Sequence, residues 1–229
     1  MPPLIAADAA LFLDLDGTLI NLAPTPDAVV VPDGLVASLN AVSARLGGAL
    51  AIVTGRTIDT VDALLGCRFA AAGEHGAALR LSPGAPIAHL DLPRPPVAWI
   101  AQGEAAVAPY PGALLERKAA GFVLHYRRIP QAGPALEQAA RGIVAADPRF
   151  SVMAAKMAWE IKPAGVNKGA AVRSLMAQPP FAGRRPVYVG DDVTDEAGIA
   201  ACTALGGTGY RVGADFADPA AVRAWLRRV

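Results

Sequence analysis

Ala10-Leu11-Phe12-Leu13-Asp14-Leu15-Asp16-Gly17-Thr18 is the stretch from which the fold can be read. Its four apolar residues are too few for a helix and are cut off by Asp-x-Asp-Gly, the signature of a buried strand that ends in a polar loop. Downstream, Leu35, Val36, Leu39, Val42 and Leu46 fall near helical spacing between Pro32-Asp33 and Gly47-Gly48, so a helix is expected over 33–46. A second apolar strand, 49–53, follows. It ends in the turn Thr54-Gly55-Arg56, and a helix through Val61 and Leu65 stops at Gly66. Strand, helix, strand, helix is the order of a parallel sheet with helices on its faces.

The pattern breaks between Ser82 and Pro96, where Pro83, Pro86, Pro93, Pro95 and Pro96 leave little room for regular structure. Beyond it, 114–118 and 122–127 flank Ala119-Ala120-Gly121 as a hairpin, and 134–146 reads as a helix. The α/β order returns with a helix at 167–176, a strand at 186–189 and the loop Gly190-Asp191-Asp192. A helix at 194–202, a short strand near 210–212 and a last helix at 219–228 complete it. The expected fold class is therefore α/β, with a core formed by 1–91 and 162–229 and an inserted α+β module at 92–161. No internal repeat is visible.

A chain of 229 residues with 53% hydrophobic and 18% charged residues has enough apolar material for a packed core. The net charge of +1 provides no broad basic field, which argues against nucleic acid as a partner. No apolar run approaches the ~20 residues of a membrane span. With no basic leader at Met1-Pro2-Pro3-Leu4-Ile5, the expectations are a cytoplasmic chain, no membrane partner and a monomer. Cys67 and Cys202 have no Cys or His at ligand spacing and are expected as small buried hydrophobes.

In an open parallel sheet, ligands bind beyond the carboxyl ends of the strands. Aspartates gather at two of those ends. Asp14 and Asp16, two residues apart, project to one side if strand geometry persists, and two such carboxylates repel unless a cation or a shared proton relieves them. Mg²⁺ takes carboxylate, water and phosphate oxygens, so Asp14 and Asp191 form a chemically consistent pair of ligands around a substrate phosphate. Aspartate is also a covalent acceptor of phosphate. Asp14, at the strand terminus, is the candidate nucleophile and Asp16 the candidate acid and base. Gly17 permits a sharp turn, and Thr18 can brace it. Thr54 and the amides after it can hold a phosphate oxygen, although a plain Thr-Gly turn reads the same way. Lys168 opens a helix, where a cation opposes the macrodipole; it either counters an active-site phosphate or is an ordinary surface lysine.

Taken in order, Asp14-Leu15-Asp16-Gly17-Thr18, Thr54-Gly55-Arg56, Asn167-Lys168-Gly169 and Gly190-Asp191-Asp192-Val193-Thr194-Asp195 resemble the four motifs of the haloacid dehalogenase phosphatase superfamily. The resemblance implies a Rossmann-like core whose insert is a cap over the site. It implies that Asp14 attacks phosphorus, that Asp16 protonates the leaving oxygen and later activates water, and that Thr54, Gly55 and Lys168 hold the phosphoryl group. Mg²⁺ would be bound by Asp14, Asp191 and the backbone carbonyl of Asp16. Asp192 and Asp195 would orient its waters, or else serve as helix N-cap and first-turn residues.

For the substrate, Glu116 and Lys118 are expected on one strand face with Arg117 on the other, and His125 and Arg127 alternate against Leu124 and Tyr126. Such a surface suits sugar hydroxyls, or is simply a solvated hairpin. Gly73-Glu74-His75-Gly76, Glu116-Arg117-Lys118, His125-Tyr126-Arg127 and Trp159-Glu160-Ile161-Lys162-Pro163 resemble the trehalose-6-phosphate phosphatases, as do 190–196 and 218–226. By that resemblance Glu116, Lys118 and Glu160 grip the sugar, Arg56 also contacts substrate, and His75 lies near the junction of core and cap or is a hydrogen-bonded structural histidine. Two departures, a short segment between Gly213 and Asp218 and the Pro-rich run 93–96, keep another sugar phosphate open, such as glucosylglycerol phosphate or sucrose phosphate. A catalytically silent sugar-phosphate sensor is the alternative outside enzymes.

Overall fold

The computed structural model describes residues 2–23, 28–118 and 120–228. The chain divides into two units, one formed by Met1–Leu90 with Asn167–Val229 and the other by Asp91–Val166. In chain order, the first unit opens with β1 (Ala9–Leu13), α1 (Leu35–Arg45), β2 (Leu50–Val53), α2 (Ile58–Leu65), β3 (Ala70–Gly73), β4 (Ala78–Arg80) and β5 (Ala88–His89). The second contains α3 (Val97–Val107), β6 (Leu114–Arg117), β7 (Phe122–His125), α4 (Gly133–Val144), β8 (Phe150–Ala155) and β9 (Ala158–Pro163). The chain then returns through α5 (Lys168–Met176), β10 (Arg185–Gly190), α6 (Glu196–Ala204), β11 (Thr208–Arg211) and α7 (Pro219–Leu226).

The first unit is built on a seven-stranded sheet in the order β11-β10-β1-β2-β3-β4-β5. The first five strands are parallel, and β4 and β5 join antiparallel. β1 sits at the switch point, with β10 on one side (Leu13 opposite Val189) and β2 on the other (Leu11 opposite Leu50). Every residue of β1, β2 and β3 is buried, as expected of central parallel strands covered on both faces. Around them α1 packs against α7 and β2, while α5 packs against α6. Side chains cap these helices where the sequence supplies them: Thr57 accepts from Thr60 N, Asn167 from Ala170 N and Asp218 from Ala221 N.

The second unit is a four-stranded antiparallel sheet, β6-β7-β9-β8, backed by α3 and α4. Leu115, Leu124 and Trp159 stand opposite one another across three strands, and Glu116, Val123 and Glu160 form the next row. Strand alternation puts the two rows on opposite faces. The first row joins a core of Phe122, Leu136, Ala140, Ile143 and Ile161, so the second carries the polar face.

Several expectations are corrected. The Pro-rich stretch 82–96 holds β5, a two-residue strand that pairs only with β4 and so needs few backbone donors. α1 starts at Leu35 behind Gly34, two residues beyond the proposed Asp33 start. Lys118 lies just past β6, which ends at Arg117, and the adjoining Ala119 falls outside the described residues. Cys202 is buried, whereas Cys67 is only partly so. β9 runs to Pro163, and the second crossing between units falls at Val166, later than the 161/162 boundary read from the sequence. Among the described residues no helix is long and apolar enough to cross a membrane.

Candidate active site

Three loops converge at the carboxyl ends of β1, β2 and β10. Asp14 directly follows β1 and is buried; its amide donates to Val189 O at 2.9 Å, tying the start of this loop to β10. Lys168, the first residue of α5, is not a surface lysine: it is 3% exposed, and its Nζ donates to Asp14 Oδ1 at 2.7 Å and to Asp195 Oδ1 at 2.6 Å. Asp191 follows β10, and Thr18 Oγ1 donates to its Oδ1 at 3.2 Å. Carboxylate oxygens of Asp14, Asp191 and Asp195 lie within 4.8 Å of one another.

Burial pushes the Asp14 carboxyl well above the ordinary carboxylate range, opposed by Lys168 and reinforced by Asp195 and Asp191. Asp191 is raised too, by burial and then by the charge of Asp195. Burial lowers the proton affinity of Lys168, but Asp14 and Asp195 outweigh it and hold the ammonium above its usual value. Three carboxylates against one ammonium leave surplus negative charge, which a divalent cation relieves. Steric detail agrees with that fit. Gly17 has φ +83°, and a Cβ there would stand 2.1 Å from Asp191 Oδ2, so only glycine lets the β1 loop pass this carboxylate.

Asp195, read from the sequence only as an orienting or first-turn residue, is the hub of the site. Its Oδ1 accepts from Lys168 Nζ and from Tyr188 Oη at 2.7 Å; its Oδ2 accepts the Asp191 and Asp192 amides, each at 3.1 Å. A carboxylate offers about four lone-pair sites, and all four are occupied. Asp195 therefore fits as a support for Lys168 and the Asp191 loop better than as a metal ligand, despite its place in the cluster. Asp192 and Asp195 form a reciprocal capping box at the turn 193–195, which realises the N-cap alternative for Asp192. Burial raises the Asp192 carboxyl, but the hydrogen bonds from Thr194 and the charge of Lys168, with a smaller contribution from Asp195, together hold it below its usual value. Tyr188 was not singled out in the sequence; its place two residues before Gly190 on a buried strand is the only local signal.

At the end of β2, Thr54 is 1% exposed and its Oγ1 accepts from Arg56 N at 3.2 Å, which leaves its own O–H to donate. A Cβ on Gly55 would fall 2.7 Å from His75 Nε2, so the imidazole lies directly over this glycine. His75 is brought there by backbone bonds, its N–H donating to Thr54 O and that of Glu74 to Arg56 O, both at 2.9 Å. Glu74 and His75 adopt φ 50° and 57°, a left-handed conformation that costs non-glycine residues about 1–2 kcal/mol each. Arg56, expected to contact substrate, places Nε and Nη2 2.7 Å from the two carboxylate oxygens of Asp16.

In the second unit, Glu116 Oε2 lies 2.7 Å from His125 Nε2, and Lys118 Nζ lies 3.7 Å from Glu160 Oε1. Glu116, Lys118 and Glu160 thus share the polar side of the four-stranded sheet, opposite its packed core.

Comparisons with known proteins place the chain in a family. A trehalose-phosphatase family model matches residues 12–208. A probable trehalose-phosphate phosphatase of Sinorhizobium fredii is 46% identical over 211 residues, covering 89% of this chain and 77% of that protein. The trehalose-6-phosphate phosphatase of Escherichia coli is 42% identical over 214 residues, 92% of this chain and 80% of that one. The solved Aspergillus fumigatus trehalose-6-phosphate phosphatase superposes with a TM-score of 0.67 at 25% identity, over 95% of this chain and 91% of its own. With the motifs in order on a parallel sheet and relatives alike over most of their length, this chain belongs to the trehalose-phosphatase family.

Proposed function

We propose that the chain hydrolyses trehalose 6-phosphate to trehalose and phosphate through an aspartyl phosphate on Asp14. The observation that carries this reading is the buried Asp14 with Lys168 across it and Asp191 beside it, at the switch point of the sheet, in a member of this family. Lys168 spends two of its three donors on Asp14 and Asp195 and has a third for a phosphoryl oxygen. The Thr54 hydroxyl and the amide of Gly55 supply further donors. Asp14 attacks phosphorus as the phosphorus–oxygen bond to the sugar breaks, and Asp16 gives its proton to the departing sugar oxygen. In the second half, Asp16 takes a proton from the water that attacks phosphorus, and Asp14 is released.

Asp14, Asp191 and the backbone carbonyl of Asp16 would hold Mg²⁺, with Thr18 and Asp192 steadying the loops around it. When bound, Mg²⁺ supplies charge neutralisation to the phosphoryl oxygens. Glu116, Lys118 and Glu160 are the proposed sugar contacts, their carboxylates accepting from hydroxyls and the ammonium donating.

Phosphate release from a panel of sugar phosphates, with Mg²⁺ and with chelator, tests the reading. Trehalose 6-phosphate should be the preferred ester, chelation should abolish turnover, and Asp14→Asn should lower kcat by more than about 10³-fold. Comparable rates on glucose 6-phosphate would sink the substrate assignment; undiminished turnover by Asp14→Asn would sink the nucleophile. Glu116→Ala and Glu160→Ala should raise KM for the sugar ester more than they lower kcat.

A further inference from the structure

The geometry points to Arg56 as the positioning residue of the proton donor, not as a substrate contact. This rests on the reading of Asp16 as the acid and base given above. The Arg56 fork meets the Asp16 carboxylate edge-on, Nε to Oδ2 and Nη2 to Oδ1, both at 2.7 Å. Such paired bonds fix the plane of a carboxylate as well as its place. The fork is itself fixed: the Arg56 amide donates to Thr54 Oγ1 at 3.2 Å, and its carbonyl accepts from Glu74 N at 2.9 Å. The arginine is therefore anchored at its backbone by the phosphate-side loop after β2 and by the loop after β3. It reaches 40 residues back in sequence to the loop after β1.

Asp16 needs such a hold. It lies beyond the end of β1, next to the freely turning Gly17, and its side chain is 29% exposed against 16% for that of Arg56. A partly exposed carboxylate on a glycine loop has several rotamers, only some of which aim it at a leaving oxygen, and a misplaced proton donor is an ineffective one. The rigid guanidinium selects one orientation, which a lysine, with a single point of charge, cannot reproduce.

Leaving groups separate this role from the alternatives. A sugar alkoxide requires the proton from Asp16, whereas 4-nitrophenolate departs as a stable anion without one. Full-length wild type, Arg56→Ala, Arg56→Lys, Asp16→Asn and the Arg56→Ala/Asp16→Asn pair are compared on trehalose 6-phosphate and on 4-nitrophenyl phosphate. Circular dichroism and thermal unfolding confirm that each is folded. Arg56→Ala should lose about 100-fold in kcat/KM on the sugar ester and about threefold or less on the aryl ester, because kcat/KM ends at departure of the leaving group and leaves out the later step in which Asp16 activates water. Arg56→Lys should recover only part of the loss, and the double variant should be no slower on the sugar ester than Asp16→Asn alone. Equal losses of kcat/KM on both esters, a matching rise in the dissociation constant of the sugar ester, or additive losses in the double variant would each overturn the assignment. The comparison is read on whichever alkyl phosphate the wild type turns over. Failure of the trehalose reading then shows in the wild type, and failure of the Arg56 role shows only in the variants.

Discussion

Cys202 shows how burial alone sets the chemistry of a residue. It lies in α6 against the parallel sheet at 0% exposure, and burial pushes its thiol from the usual 9.0 up to about 12. Its proton is thus held more tightly in the folded chain than in the unfolded one. Stability from this group is fully present below pH 9 and is lost as pH rises toward 12. In that window the unfolding free energy of the wild type should fall more steeply than that of Cys202→Ala, by up to about 1.4 kcal/mol per pH unit. Urea titrations across the window measure the difference, and parallel slopes would contradict it. At the same scale, the sequence already marked Asp14, Asp16, Lys168 and Asp191, because chemically unusual residues at strand and helix ends stand out locally. It could not rank them against Asp195, whose four donors come from Lys168, Tyr188 and two amides of its own loop.

Between elements, the clearest energetic commitment is Arg80. This residue of β4 is fully buried, with its fork on both oxygens of Asp62 in α2 at 2.7 Å and further bonds to the carbonyls of Phe69 and Ala85. Removing the carboxylate strands a buried charge, so Asp62→Ala should cost about 3–5 kcal/mol, measured by urea unfolding. A loss below about 1 kcal/mol, the value of a surface pair, would mean that the carbonyls suffice. The sequence reading passed over this pair and the strands on either side of it. β3 is Ala70-Ala71-Ala72-Gly73, which has neither alternation nor β-branched residues, and burial in a parallel sheet supplies what propensity does not. α1, α2, β2 and β10 were legible because each combines an apolar period with a glycine or proline stop. α3 was missed because it begins directly behind the proline run, at Val97 after Pro96.

For the whole molecule, the telling feature is that each unit has a core of its own. The first centres on β1, β2, β10 and their helices, the second on Phe122, Leu124, Leu136 and Ile161. Phe122→Ala, at a position with 0% exposure, should destabilise the second unit by about 3–5 kcal/mol. In hydrogen exchange, amides of Asp91–Val166 should lose protection while those of β1, β2 and β10 keep theirs. Equal loss in both units would show that they unfold as one. The sequence by itself determined the α/β order, the presence of an insert and the candidate residues for phosphoryl chemistry, because strand ends, glycine turns and short carboxylate spacings are written within a few consecutive positions. Only the tertiary structure decided the partners: Arg56 with Asp16 across 40 residues, Lys168 with Asp14 across 154, and Thr18 with Asp191 across 173. A hydrogen bond requires approach to within about 3 Å in a set direction, and for residues so distant along the chain that approach follows from the sheet order that places β1 between β2 and β10.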